Sequence, residues 1–346
     1  MDQINTLLPR DSCQTGNDYN GNLGVRISAI FVILAGAIFG SVAPVFANSL
    51  GGSKILSNVF FICKYFGSGV IIATAFIHLM SPASDALGDP CLDGPITMYP
   101  WVEGIMLMTV VIMFFVELMV LRYSKLGHRH SHSKHHGTIL VQANPEDKQV
   151  NHEDKSQLAG EDHFGHIREY QDVEGARQMD QEEYAAQLTA IFILEFGIIF
   201  HSIFVGLTLA VSGDEFTTLY IVLVFHQTFE GLGLGSRLAL LPWPKSKWLT
   251  PYLLGLGYAV STPAAIAIGL GVRESYPPGG RTTLIVNGIF DSISAGILLY
   301  TGLVELLAHE FMFSPTMQNE STRTVMFAFF LLCLGAALMA LLGKWA

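Results

Sequence analysis

Two neighbouring apolar segments carry histidine and carboxylate side chains at a spacing that suits metal binding. His226 and Glu230 are four residues apart, so a helix places both on one face about one turn apart. His201 lies in the preceding segment, and the short connection Gly213–Glu215 makes the two segments antiparallel neighbours. His201 and His226 then lie at similar depth. Imidazole nitrogens and a carboxylate suit a borderline-soft divalent cation such as Zn²⁺ or Fe²⁺.

Neutral oxygen donors adjoin these residues in the sequence. Ser202 follows His201 and Gln227 follows His226, so both could add ligands. A closed structural metal site usually recruits cysteine, and no cysteine is near in sequence. The pattern therefore favours a site through which an ion passes. For any single histidine, the alternative is an ordinary hydrogen bond between helices.

Other ionisable residues lie in or beside apolar segments, where they are costly unless they face a cavity or a partner. His78 and Asp85 indicate an entrance to a pathway. Glu117, Glu305 and His309 indicate an exit at the opposite end, and the last two are four residues apart. The alternative for Glu305 and His309 is a location among the lipid headgroups.

One long polar stretch, residues 123–183, is rich in histidine and acidic residues. Such a composition cannot bury a core and predicts disorder. A flexible chain with many imidazoles binds transition metals with little demand on geometry, and the alternative is a solvated linker. The histidines that cluster within nine residues are His128, His130, His132, His135 and His136.

The composition indicates that these residues lie in a membrane protein. Of 346 residues, 51% are hydrophobic and only 14% are charged, against about 25% charged in soluble domains. The net charge of −10 argues against nucleic acid as a partner. Apolar stretches of about 20 residues, without strand-like alternation, predict an all-α integral membrane protein with eight transmembrane helices. The predicted spans are Val25–Ser49, Ile55–Ser81, Trp101–Leu121, Tyr184–Ser212, Phe216–Leu241, Leu249–Val272, Thr282–His309 and Thr324–Leu342.

The distribution of basic residues predicts the orientation. Thirteen of the 19 Lys and Arg residues fall on the side of the long loop and five on the other, with Lys64 inside a span. The more basic side is expected to be cytosolic. Residues 1–24 then form an extracellular tail, and residues 25–122 form helices 1–3. Residues 123–183 form a disordered cytosolic loop, and residues 184–346 form helices 4–8, which contain the metal site. Both termini are then outside the cell. Cys13 and Cys91 are also outside, where they either form a disulfide or remain free thiols.

Small residues surround the candidate site. Glycines in a membrane span usually allow close helix packing, and the strand–turn–helix setting of a nucleotide-binding motif is missing. No Walker-type motif is present, so ATP is not the direct energy source. The glycines nearest the candidate ligands in sequence are Gly197, Gly206, Gly231, Gly233 and Gly235.

The segments His201–Leu207 (HSIFVGL) and His226–Gly231 (HQTFEG) resemble the signature pair of the ZIP divalent-metal transporters. Within that family they most resemble the fungal and plant zinc and iron uptake branch. Gly69–His78 in the second predicted span and Ser294–Tyr300 in the seventh extend the resemblance along most of the chain.

The resemblance implies eight helices, both termini outside, a homodimer and movement of metal into the cytosol. It implies metal ligation by His201, His226 and Glu230. It also implies that Ser202 and Gln227 adjoin a second metal position, where some members carry a carboxylate at the place of Val205.

The resulting interpretation is a plasma-membrane importer of Zn²⁺, with Fe²⁺ or Mn²⁺ as further substrates, and not an enzyme. Its partners are divalent metal ions and the lipid bilayer, and it needs no catalytic cofactor. The alternatives are a metal exporter, a non-transporting metal sensor or receptor, and a membrane-embedded zinc hydrolase. The hydrolase is the weakest alternative, because the sequence has no His-Glu-x-x-His segment.

Overall fold

The computed structural model describes residues 13, 15–17, 19–50, 54–129, 173–273 and 277–345. All regular secondary structure in these ranges is helical, in agreement with the predicted all-α class. The α-helices are α1 (Leu23–Ser49), α2 (Lys54–Ala73), α3 (Ser81–Leu87), α4 (Trp101–Arg129), α5 (Val173–Val211), α6 (Phe216–Leu240), α7 (Thr250–Val272), α8 (Arg281–Tyr300), α9 (Pro315–Gln318) and α10 (Thr322–Leu342).

Two segments of π-helix lengthen these elements. Thr74–Met80 joins α2 to α3 as one continuous helical stretch, and Thr301–Phe313 extends α8. Hydrogen bonds in a π-helix run from residue i to i+5, so side chains that would share a face in an α-helix no longer do.

Seven helical stretches within the described ranges are long and apolar enough to cross a membrane, against eight predicted spans. The remaining predicted span, Phe216–Leu241, forms helix α6, which is 25 residues long. Its apolar character falls short of the other seven because His226, Gln227 and Glu230 lie in its middle. The residues that mark the candidate site therefore weaken the membrane signal of the helix that carries them.

The helices that flank the long loop extend beyond the predicted spans. Helix α4 continues to Arg129 and α5 begins at Val173, so the predicted loop 123–183 is helical at both ends. The prediction placed the span ends where charged residues begin. A helix need not end there, because its backbone hydrogen bonds do not depend on apolar side chains. The described residues 119–129 and 173–186 are assigned to a compact unit of their own.

Glycine allows the helices around the candidate site to pack with their backbones in contact, as the sequence predicts. Helix α1 packs on α6 and α7, and α2 packs on α10 and α6. Gly233 of α6 lies against the backbone of Gly67 on α2, and Gly206 of α5 lies against Thr262 on α7. The glycines with close contacts to another helix include Gly197, Gly206, Gly231, Gly233 and Gly235.

A disulfide and a buried arginine tie together the end of the bundle at which α1 begins. Cys13 and Cys91 form the disulfide, with Cα atoms 4.9 Å apart. The fully buried Arg26 of α1 donates hydrogen bonds to the backbone oxygens of Ala210 and Ser212, at 3.0 and 2.6 Å. A cation at the C-terminal end of α5 also interacts favourably with the helix dipole.

Candidate metal site

The antiparallel helices α5 and α6 bring three ionisable side chains together. His201, His226 and Glu230 each offer one ligand atom, and these three atoms lie within 4.8 Å of one another. All three residues are almost inaccessible, with 1%, 3% and 0% of their surface exposed. The predicted meeting of these residues is therefore present in the structure.

The ligand atoms of this cluster have no hydrogen-bond partners. Both ring nitrogens of His201, Nε2 of His226 and both carboxylate oxygens of Glu230 are buried and unpartnered. Nε2 of His226 lies 3.2 Å from Oε1 of Glu230 without forming a hydrogen bond. Buried polar atoms are nearly always hydrogen-bonded, because desolvation without compensation is costly. A divalent cation among these atoms would supply that compensation.

Ser202 and Gln227 lie beside the cluster and contact each other. Nε2 of Gln227 donates to Oγ of Ser202 at 3.4 Å, and both side chains are buried. Tyr258 of α7 donates its hydroxyl hydrogen to the backbone oxygen of Gln227 at 2.5 Å, which links α7 to α6 next to the site. Val205 packs against an apolar cluster and adds no charge here.

His78 lies beside His226 and not at an exposed entrance. The two ring centroids are 4.8 Å apart and His78 is only 8% exposed. Its Nε2 lies 3.0 Å from the backbone oxygen of Met339, and since a carbonyl only accepts, Nε2 donates and Nδ1 carries the lone pair of the neutral ring. The π-helix turns that carry His78 change its direction, which α-helical spacing did not predict. Asp85, the other predicted entrance residue, is exposed on α3.

The predicted exit residues do not form one group. Tyr300 donates a hydrogen bond to the carboxylate of Glu117, and Glu117 also interacts with the half-buried Glu305. His309 is exposed, although it is four residues from Glu305. Both residues lie in the π-helical segment, where a spacing of four does not keep two side chains on one face.

Sequence reasoning missed a second polar cluster, near the end of α6. Nζ of Lys64 lies 2.5 Å from Oε1 of Glu310, which also accepts a hydrogen bond from the Tyr65 hydroxyl at 3.1 Å. Nη2 of Arg237 donates to Oγ of Ser68 at 2.7 Å. The sequence offered one signal for this cluster, because Lys64 is a basic residue inside an apolar span. Its partner Glu310 could not be found from the sequence.

The predicted ligands of the histidine-rich loop lie almost entirely outside the described residues. His128 lies in the last turn of α4, and its side chain is not described. The remaining predicted loop ligands, His130, His132, His135 and His136, lie outside the described residues.

Membrane-length helices around a buried, unpartnered His–His–Glu cluster define the class as an integral membrane protein with a candidate divalent-cation site. Comparison with known proteins gives the family. Residues 23–343 match the family model described as ZIP zinc transporter, and the chain belongs to that family. Proteins of this family are transporters and not enzymes.

Fungal and plant proteins named as zinc transporters are similar along the whole chain. Zinc-regulated transporter 2 of Saccharomyces cerevisiae is 41% identical over 97% of each chain. Zinc-regulated transporter 1 of the same yeast is 43% identical, over 96% of this chain and 90% of its own length. Zinc transporter 3 of Arabidopsis thaliana is 32% identical, over 98% of this chain and 90% of its own.

Proposed function

We propose that this protein imports Zn²⁺ across the plasma membrane into the cytosol. The observation that carries the proposal is the set of buried, unpartnered ligand atoms of His201, His226 and Glu230. The names of the fungal and plant relatives support zinc as the substrate. Fe²⁺ and Mn²⁺ fit as further substrates, because a nitrogen and carboxylate donor set without thiolate accepts them too.

His201, His226 and Glu230 bind the ion, and His78 lies beside them with its ring against that of His226. The backbone oxygen of Met339 accepts the Nε2 hydrogen of His78 and holds this ring next to the site. Ser202 and Gln227 adjoin the site as neutral oxygen donors. With an apolar Val205 at the position of the family's further carboxylate, the site holds one ion.

Helix α6 is the eighth span in this proposal. Its polar side chains face neighbouring helices, as the burial of His226 and Glu230 indicates, so a lower average hydropathy does not prevent it from crossing the bilayer. With eight spans both termini lie on one side, and the excess of basic residues on the side of the histidine-rich loop makes that loop cytosolic and the termini extracellular. All proposed ligands lie in one chain, so each subunit of the homodimer that the resemblance implies would hold its own metal site.

The ion enters from the end that carries Asp85 and leaves toward Glu117 and Glu305. The membrane potential favours inward movement of a cation by about 2.3 kcal/mol per charge per 100 mV. His128 and its neighbours in the loop then take up the released metal in the cytosol.

Radiolabelled zinc uptake into cells that lack their own uptake system tests the proposal. We expect saturable uptake by the intact chain, and loss of uptake in His201→Ala and Glu230→Gln. Glu320→Gln removes an exposed carboxylate outside the site and is the matched control. Wild-type uptake by His201→Ala or Glu230→Gln would refute the site. An intact chain that reaches the cell surface without importing zinc would refute import, and efflux from zinc-loaded cells would then identify an exporter.

A further inference from the structure

Glu195 is a buried carboxylate that the proposed zinc site does not use. It lies on α5, six residues before His201, and only 4% of its surface is exposed. Its Oε2 atom is buried and has no hydrogen-bond partner. Its Oε1 atom lies against Gly257 of α7, which offers no side chain to neutralise a charge.

The helices that pack near Glu195 supply no counter-charge. The nearest ionisable group on α7 is Tyr258, whose hydroxyl is already bonded to the backbone oxygen of Gln227. On α8, the residues that face this part of α5 at Gly197 are the apolar Ile297 and Leu298. Among the described residues, no hydrogen-bond donor faces Oε2 of Glu195.

Burial without a partner determines the charge state of this carboxyl group. An ionised carboxylate that is shielded from water and unpaired is strongly disfavoured, so the group takes up a proton. The same helix carries His201, and six residues separate the two positions by about 9 Å along the helix axis and by about 120° around it. A divalent ion bound by His201 adds positive charge to the same low-dielectric bundle, which favours the ionised carboxylate of Glu195 and so the release of its proton.

We propose that Glu195 is a proton-binding site of the transporter, and that its proton leaves when a metal ion occupies the site formed by His201, His226 and Glu230. The step is the dissociation of the carboxylic acid into a carboxylate and a proton. The proposal rests on the proposed function, because it needs an ion at that site. It makes the release of one proton to the surrounding water part of metal binding.

Counting the protons released per zinc ion bound tests this proposal. The full chain, purified in detergent at low buffer strength, is titrated with Zn²⁺ in the presence of a pH indicator. The other ligands and the histidine-rich loop release protons as well, so the measured quantity is the difference between variants. Glu195→Gln preserves the shape of the protonated acid and is expected to release one proton fewer per zinc ion. Glu103→Gln, at an exposed carboxylate of α4, is the matched control and should equal the wild type.

Equal proton release by Glu195→Gln and the wild type would overturn the proposal. A variant-independent measurement covers the case in which Glu195→Gln does not fold. The zinc-induced infrared difference spectrum of the wild type should show loss of the C=O band of a protonated carboxylic acid, and absence of that loss would also overturn it. Failure of the proposed function is distinct, since a wrong site would appear as zinc binding that is insensitive to His201→Ala and a wrong direction as absent zinc uptake.

Discussion

The contact between Gly67 and Gly233 fixes the spacing of α2 and α6, and Gly67→Ala tests whether that spacing holds the site together. A β-carbon at position 67 would lie 2.2 Å from Cα of Gly233. Carbon atoms pack at about 3.5 Å, so the two helices must separate by about 1.3 Å. Overpacking of this kind costs about 1–3 kcal/mol of stability. Metal sites tolerate changes in ligand distance of about 0.2 Å, and His78 and His226 lie on the two helical stretches that move apart.

We expect Gly67→Ala to raise the zinc concentration for half-maximal uptake by about 10- to 100-fold, as loss of supporting contacts around a metal site does. Zinc uptake per surface-exposed molecule measures this, and thermal unfolding in detergent measures the stability. Gly271→Ala is the control, because a β-carbon there would have no neighbour within 4 Å. If Gly67→Ala takes up zinc and unfolds in the same way as Gly271→Ala, the contact between Gly67 and Gly233 does not set the geometry of the metal site.

Three further predictions concern other parts of the chain. Glu310→Gln leaves Lys64 without its counter-charge and should lower the free energy of unfolding by about 3 kcal/mol. The double variant that also carries Lys64→Met should recover most of this loss in the same unfolding assay. Cys13→Ser opens the disulfide with Cys91 and should cost about 2–4 kcal/mol, measured by unfolding with and without reductant. Deletion of residues 128–136 should leave zinc uptake in place and change its regulation by zinc, measured as uptake before and after exposure of the cells to excess metal.

Each of these predictions has an outcome that contradicts it. A double variant as unstable as Glu310→Gln would show that Lys64 is not the group left unpaired. Recovery of both Cys13 and Cys91 as free thiols in non-reducing peptide mapping would remove the disulfide. Complete loss of uptake after deletion of residues 128–136 would make the loop part of the transport pathway.

The sequence alone determined the features that depend on local spacing and composition. Long apolar runs with few charges predict membrane helices, because a backbone in hydrocarbon must satisfy its own hydrogen bonds. The four-residue spacing of His226 and Glu230, together with the short turn before α6, predicted their meeting with His201. Cys13 and Cys91 were paired as a hypothesis from their shared side of the membrane, and the structure contains that disulfide.

Tertiary structure decided the features that depend on how helices turn and where their neighbours lie. His78 reaches His226 through π-helical turns, whose side-chain directions α-helical periodicity does not give. Lys64 and Glu310 are 246 residues apart, and only the packing of α2 against the extension of α8 brings them together. In the sequence, Glu195 is simply one acidic residue within a predicted span. Its lack of a partner is a property of the helices around it, because burial and pairing are set by residues distant along the chain.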